Sequence, residues 1–185
     1  MLINWLIAKK VISEEAEELY KYAAQCLMIS LYPFLLTIII GICMGRLVES
    51  LLIIIPFMCI RKYSGGYHAK TMLICFIESC GLLILCIYLV SYVKCSMLLH
   101  VILATSMAVL WILSPIDSEN RRLDLDEQKK YRTVARIIVT LFILVYLILY
   151  FVHKDVYAVS IALGLMLTAG MQLPCVYQRL KKKNM

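Results

Sequence analysis

The feature that most constrains this chain is the arrangement of its apolar residues in long runs with no polar face. A surface helix of a soluble domain interleaves its apolar stripe with polar residues. Here the runs at about 23–43, 47–60, 73–93, 97–114, 134–152 and 156–176 carry almost no charge. About 20 consecutive apolar residues are what a helix needs to cross ~30 Å of hydrocarbon. The 185 residues are 63% hydrophobic, against about 45–50% for an ordinary soluble domain. The expected class is an all-α polytopic membrane protein, one domain over residues 1–185. Residues 115–132 are the longest polar interval, too short for a separate soluble domain.

Taken in order, residues 1–10 are too short to span, and Trp5 among Leu2, Ile3, Leu6 and Ile7 reads as a short interfacial anchor helix. No cleavable signal peptide is expected, because the first run lacks a basic lead and is followed by Lys9 and Lys10. Ser13 is a candidate N-cap, with Glu14 and Glu15 in the first turn after it. Pro33 predicts a kink in the first span. The second run, 47–60, is barely long enough, and Pro56 inside it suggests a bent or partly re-entrant helix.

With six spans and both termini cytosolic, only Arg46, Lys94 and Lys154 of the 19 Lys and Arg residues face outward. The positive-inside rule favours that orientation over its inverse and places the loop around His68 on the cytosolic side. Topology accounts for the net charge of +7 better than nucleic acid does, so no nucleic-acid partner is expected. The eight Cys residues form no C-x-x-C pair and no zinc spacing with His. Neither a disulfide framework nor a metal or other cofactor is expected.

The polar break between the second and third runs, R-K-Y-S-G-G-Y-H-A-K-T-M-L-I-C, holds His68 and Cys75 seven residues apart. A cysteine nucleophile acts as thiolate and needs a base within reach. On one straight helix the two would share a face but lie ~10 Å apart. The chain is therefore expected to bend between them, with Gly65 and Gly66 supplying backbone freedom and Thr71 capping the third span. Arg61, Lys62 and Lys70, with the start of that helix, favour a Cys75 thiolate. The plain alternative is a packing cysteine and a solvated histidine.

G-G-Y-H-A-K-T followed by Cys75 resembles the active-site motif of the accessory gene regulator B (AgrB) family, matched at Arg61, Gly65, Gly66, Tyr67, His68, Ala69 and Cys75. A second stretch, S-P-I-D-S-E-N-R-R-L through E-Q-K-K-Y-R, is similar to the family's Pro-containing basic loop, with Ser114 where Ala is usual and Arg121-Arg122 near the usual Lys-Pro. The acidic stretch E-E-A-E-E-L-Y-K-Y-A fits as well.

The resemblance implies a membrane cysteine endopeptidase of quorum sensing, located in the bacterial cytoplasmic membrane. Such an enzyme cuts the acidic tail from an AgrD-like precursor peptide with an amphipathic leader. It cyclises the rest to a thiolactone or lactone through an acyl-enzyme thioester. His68 and Cys75 would be catalytic. Arg61, Glu78 and Ser64 are candidates for orienting or oxyanion roles, with Asp117 and Glu119 as weaker rival orienters.

Gly65, Gly66, Lys70, Arg121, Arg122, Lys129 and Lys130 are candidates for substrate contact, although topology by itself explains many of the cations. Glu78 sits three residues beyond Cys75, where a carboxylate within a span is a functional candidate by default. His100 and His153 read as interfacial. The family and the short second run leave a homodimer open. The alternative is a non-enzymatic small exporter or a scaffold for a signalling peptide.

Overall fold

The computed structural model describes residues 17–66, 72–116 and 124–177. The chain divides into two compact units, Met1–Leu36 and Thr37–Met185. Among the described residues the regular elements are six helices: α1 (Glu17–Cys43), α2 (Leu47–Ser64), α3 (Met72–Val90), α4 (Met97–Leu113), α5 (Leu125–Phe151) and α6 (Asp155–Gly170). Residues 17–36 of α1 are the described part of the first unit, and the rest belong to the second. The interfacial segment 1–10, Ser13 and Thr71 lie outside the described residues.

The expected runs become helices with informative differences at their ends. Helix α1 continues through Pro33. Helix α2 does not stop where the apolar run stops at residue 60. It carries Arg61 and Lys62 in its last turn, where cations complement the partial negative charge of a helix C-terminus. Ser96 caps α4 by accepting the Leu99 N–H at 3.4 Å.

The largest difference is α5, which begins at Leu125, nine residues ahead of the expected span. Asp126 and Glu127 in its first turn suit the positive end of the helix dipole. The later part of the polar interval therefore forms the first turns of a 27-residue helix. At 1.5 Å per residue that helix is about 40 Å long, some 10 Å more than the hydrocarbon core.

Helix α6 is the centre of the second unit and packs against α2, α3, α4 and α5. Ala158 through Leu165 are all buried, as are Thr168 and Ala169. Small residues recur along it at Ala158, Ser160, Ala162 and Gly164, which lets neighbouring backbones come close. Its approach to α2 is so tight that a Cβ on Gly164 would overlap the Ile53 carbonyl oxygen and sit 2.9 Å from Pro56 Cγ. Buried Pro56 is thus a packing element of the α2–α6 contact.

The outer faces are apolar. On α5, Ile137, Leu141, Leu144 and Ile148 are all exposed and spaced four, three and four residues apart, along one side. Ala135, Val139 and Tyr146 are buried. Leu98 and Ile112 of α4 are also exposed. Such a large apolar surface fits a lipid contact and not water. Among the described residues, two helical stretches are both long and apolar enough to cross a membrane, Asp126–Phe151 and Asp155–Tyr177. Leu31–Cys43, Ile77–Val90 and Met97–Leu113 are shorter apolar helices.

The Gly164 contact yields a direct expectation. Gly164→Ala forces α2 and α6 apart and destabilises the protein by about 1–3 kcal/mol, as overpacking typically does. Gly170→Ala, where an added Cβ meets nothing within 4 Å, leaves stability close to that of the parent chain. Thermal unfolding of the two detergent-solubilised variants checks the contrast.

Candidate functional site

Three chain segments converge at one end of the second unit: the end of α2 (Ser64 to Gly66), the segment after α4 (Ser114 to Ile116) and the segment after α6 (Met171 and Gln172). The Ile116 N–H donates to the Ser64 carbonyl at 2.9 Å. Gln172 Nε2 donates to the same carbonyl at 3.4 Å and to Ser114 Oγ at 2.9 Å. Ser64 Oγ donates to the Gly65 carbonyl at 3.1 Å. Ser64, Ser114 and Gln172 are all buried, Gln172 fully so at 0% exposure. Three helix ends are thereby tied by a buried polar knot, which gives partners to groups that would otherwise be stranded.

The double glycine has a geometric reason to be there. Gly65 adopts φ +72 and Gly66 φ +148, conformations that side chains with a Cβ rarely take. Space is lacking too. A Cβ on Gly65 would overlap the Ile116 carbonyl oxygen, and one on Gly66 would lie 3.4 Å from Arg61 Nη1 and 3.5 Å from the Met171 carbonyl oxygen. Gly65 N–H still bonds back to Arg61 O at 3.1 Å, so α2 closes before the chain turns away. The expected backbone freedom before His68 is realised as two specific positive-φ residues wedged against the neighbouring helix ends.

Arg61 folds over this corner. Its guanidinium carbon stands 5.3 Å from the Phe57 ring centroid, a cation–π arrangement, and its Nη1 is buried beside Gly66. Lys62 Nζ lies 5.6 Å from the Tyr63 ring centroid. Tyr63 meets Tyr131 edge to face at 5.6 Å, which brings the start of α5 to the same end of the unit. Lys129 and Lys130 are exposed on that start, held on a helix and not in a flexible loop. Arg136, one turn beyond Arg132, pins α5 to the end of α4: its Nη2 donates to the Trp111 carbonyl at 3.3 Å, and its guanidinium carbon lies 5.1 Å from the Trp111 ring centroid.

Of the proposed dyad, Cys75 is the fourth residue of α3 and so lies in its first turn. Glu78 follows one turn later with an exposed side chain. His68, Lys70, Asp117, Glu119, Arg121 and Arg122 lie outside the described residues. Sequence reasoning missed Gln172, which carries no motif and stands 108 residues from Ser64. An isolated amide in the otherwise apolar stretch T-A-G-M-Q-L was the available signal, since a polar group there needs partners.

Elsewhere in the second unit, His100 is half-buried between aromatic rings, 6.0 Å from Tyr146 and 5.1 Å from Tyr150 by centroid. Its Nδ1–H donates to the Ser96 carbonyl at 2.6 Å. His153 is exposed at φ 58. A shallow, mainly apolar cleft of about 500 Å³ runs between α4 and α5, lined among others by His100, Met107, Trp111 and Tyr146.

Comparison with known proteins agrees with the family resemblance. FsrB of Enterococcus faecalis is 29% identical over 85 residues, covering 43% of this chain and 35% of that protein. Putative AgrB-like protein 2 of Clostridium perfringens is 27% identical over 143 residues, 69% of this chain and 66% of the relative. A putative AgrB-like protein from another strain of that species is 25% identical over 144 residues, with the same coverage. The matches thus span from about a third to just under two thirds of the relatives' length. No solved structure matches the chain. The family model described as "Accessory gene regulator B" matches residues 1–173, nearly the whole of the sequence that forms the bundle and the polar knot, and the chain belongs to that family.

Proposed function

We propose that this protein is a multi-pass membrane cysteine endopeptidase that trims and cyclises a quorum-sensing precursor peptide, with Cys75 as nucleophile and His68 as its base. The observation that carries the reading is the junction of the two family motifs. The glycine pair preceding His68 and the Ser114–Ile116 segment preceding the basic stretch are hydrogen-bonded to each other through Ser64, Ile116 and Gln172. Cys75 opens the next helix after the glycine pair. Exposed apolar faces on α4 and α5 support a membrane location. With six spans, the charge count favours both termini in the cytosol over the inverse orientation.

In the reaction, His68 takes the Cys75 proton and the thiolate attacks the carbonyl carbon of the scissile bond. The tetrahedral adduct collapses, the carbon–nitrogen bond breaks, and protonated His68 gives its proton to the departing amine of the acidic tail. The peptide remains as a thioester on Cys75. A thiol or hydroxyl upstream in the same peptide, deprotonated by His68, then attacks that thioester. A thiolactone or lactone forms and Cys75 is released. Thiol–thioester exchange is nearly balanced, so the acyl-enzyme must be shielded from water, which a site at the lipid boundary favours.

Holding the internal nucleophile beside the thioester supplies effective concentration. Arg61 stands beside the glycine pair as a candidate for orienting the carbonyl or holding the oxyanion. Lys129 and Lys130 offer positive charge to the acidic tail from the first turns of α5, and the sequence adds Arg121 and Arg122.

Several outcomes test this reading. Cys75→Ala abolishes cleavage of a co-expressed AgrD-like precursor, and His68→Ala lowers it about 10²–10⁴-fold, the usual range for a lost general base, while both variants still insert in the membrane. A Cys75→Ala protein that still cuts its precursor would falsify the mechanism. Lys129→Ala or Lys130→Ala raises KM about 2–5-fold each, the scale of one exposed ion pair, and the increase shrinks at high salt; an unchanged KM removes these cations from tail binding.

Alkylation at neutral pH singles out Cys75 as the fastest thiol. Cys95, in the turn after α3, should be slow. Burial first, then the Asp155 charge, pushes its thiol up, so it stays protonated as pH rises past the ordinary range. Residue-resolved mass spectrometry of an iodoacetamide time course reads both rates.

A further inference from the structure

We infer that Gln172 is a positioning residue for the peptidase reaction: its carboxamide locks the glycine corner that leads to His68 against the segment that leads to the basic residues. This rests on the function proposed above and adds to it a residue that neither family motif contains. Gln172 is fully buried. Its Nε2 is shared between the Ser64 carbonyl at 3.4 Å and Ser114 Oγ at 2.9 Å. Its Oε1 is buried with no hydrogen-bond partner among the described residues.

A methionine or leucine would fill the same volume without burying an unpaired acceptor. The amide is tolerated because its donor side joins two segments that no element of regular structure connects. Ser64 accepts from Ile116 N–H as well, so removing Gln172 leaves one of two links between them and strands Ser114 Oγ.

The consequence is mechanical. His68 stands two positions after Gly66, and Arg121 five positions after Ile116. Gln172 supplies one of the two links that hold these departure points together, and the precision of the base depends on it. A base that wanders by about 1 Å loses roughly a hundredfold in effective alignment, and a thiolate deprived of its imidazolium returns toward the ordinary thiol range near 8.5.

The pH profile of Cys75 alkylation by iodoacetamide, measured on the full chain in detergent with residue-resolved mass spectrometry, tests this without any knowledge of the peptide substrate. The parent chain is expected to show an inflection below the ordinary thiol range. Gln172→Met shifts it upward by about one unit, roughly tenfold slower alkylation near pH 7. Buried Cys86 stays unreactive in both, as a check that the fold persists.

Gln172→Glu gives the second arm. A protonated carboxyl retains one donor and an ionised carboxylate retains none. Burial raises the carboxyl pKa, so the ratio of this variant's rate to the parent's is near one at acidic pH and falls as pH rises. If Gln172→Met exposes Cys86, this ratio decides alone.

A Gln172→Met profile identical to the parent's, or a Gln172→Glu ratio that does not change with pH, overturns the inference. The dyad is tested separately in the same assay. If His68→Ala leaves the Cys75 inflection unmoved, the proposed peptidase mechanism fails. If His68→Ala moves it and the Gln172 variants do not, only the positioning role is lost.

Discussion

The contact on which the second unit depends is the backbone-to-backbone approach of α2 and α6 at Gly164. Lipid tails are as apolar as leucine, so apolar burial gives little drive for helices to associate within a membrane. What remains is close packing and hydrogen bonding. Gly164 lets the Ile53 carbonyl and the Pro56 ring press against α6, and the small residues on either side extend that surface. Because α6 touches four other helices, its placement against α2 sets the frame for all of them. The proline in α2, expected to bend that helix, fills space that the glycine partner leaves open.

Close packing of α2 on α6 brings their C-terminal ends together, and the polar knot closes that end. Dispersion contacts between apolar helices are numerous and weakly directional. Hydrogen bonds from Gln172 and Ile116 to Ser64 are directional, and they lie where three chains leave the bundle. Packing therefore brings the helix ends near one another, and the buried amide and serines choose their register. The positive φ of Gly65 and Gly66 then turns the chain at the knot, with Arg61 folded over the corner.

The basic residues of the second motif illustrate how a helix start changes what a charge can do. On a loop, Lys129 and Lys130 would be solvated and mobile. On the first turns of α5 they occupy fixed positions relative to Tyr131, whose ring meets Tyr63 at the end of α2. The same helix, longer than the hydrocarbon core of a bilayer is thick, can be anchored in lipid along Ile137 to Ile148 and still present cations beyond it.

Much of this organisation was legible from local composition. The apolar runs located the helices, because a long apolar stretch satisfies its backbone groups within itself as a helix. Gly-Gly before His68, and Ser-Pro-Ile before the basic stretch, marked the two breaks that matter and carried the family. The end of α2 and the start of α5 were misplaced because hydropathy ends where charge begins, whereas a helix continues as long as its backbone bonds and dipole are served.

Sequence could not say which face of each helix is covered. When core and lipid are equally apolar, Val139 and Leu141 look alike, and only packing within the bundle separates them. Nor could it pair Gln172 with Ser64 across 108 residues. That pairing depends on three helix ends arriving at one place, which is a property of the packed bundle and of no single segment within it.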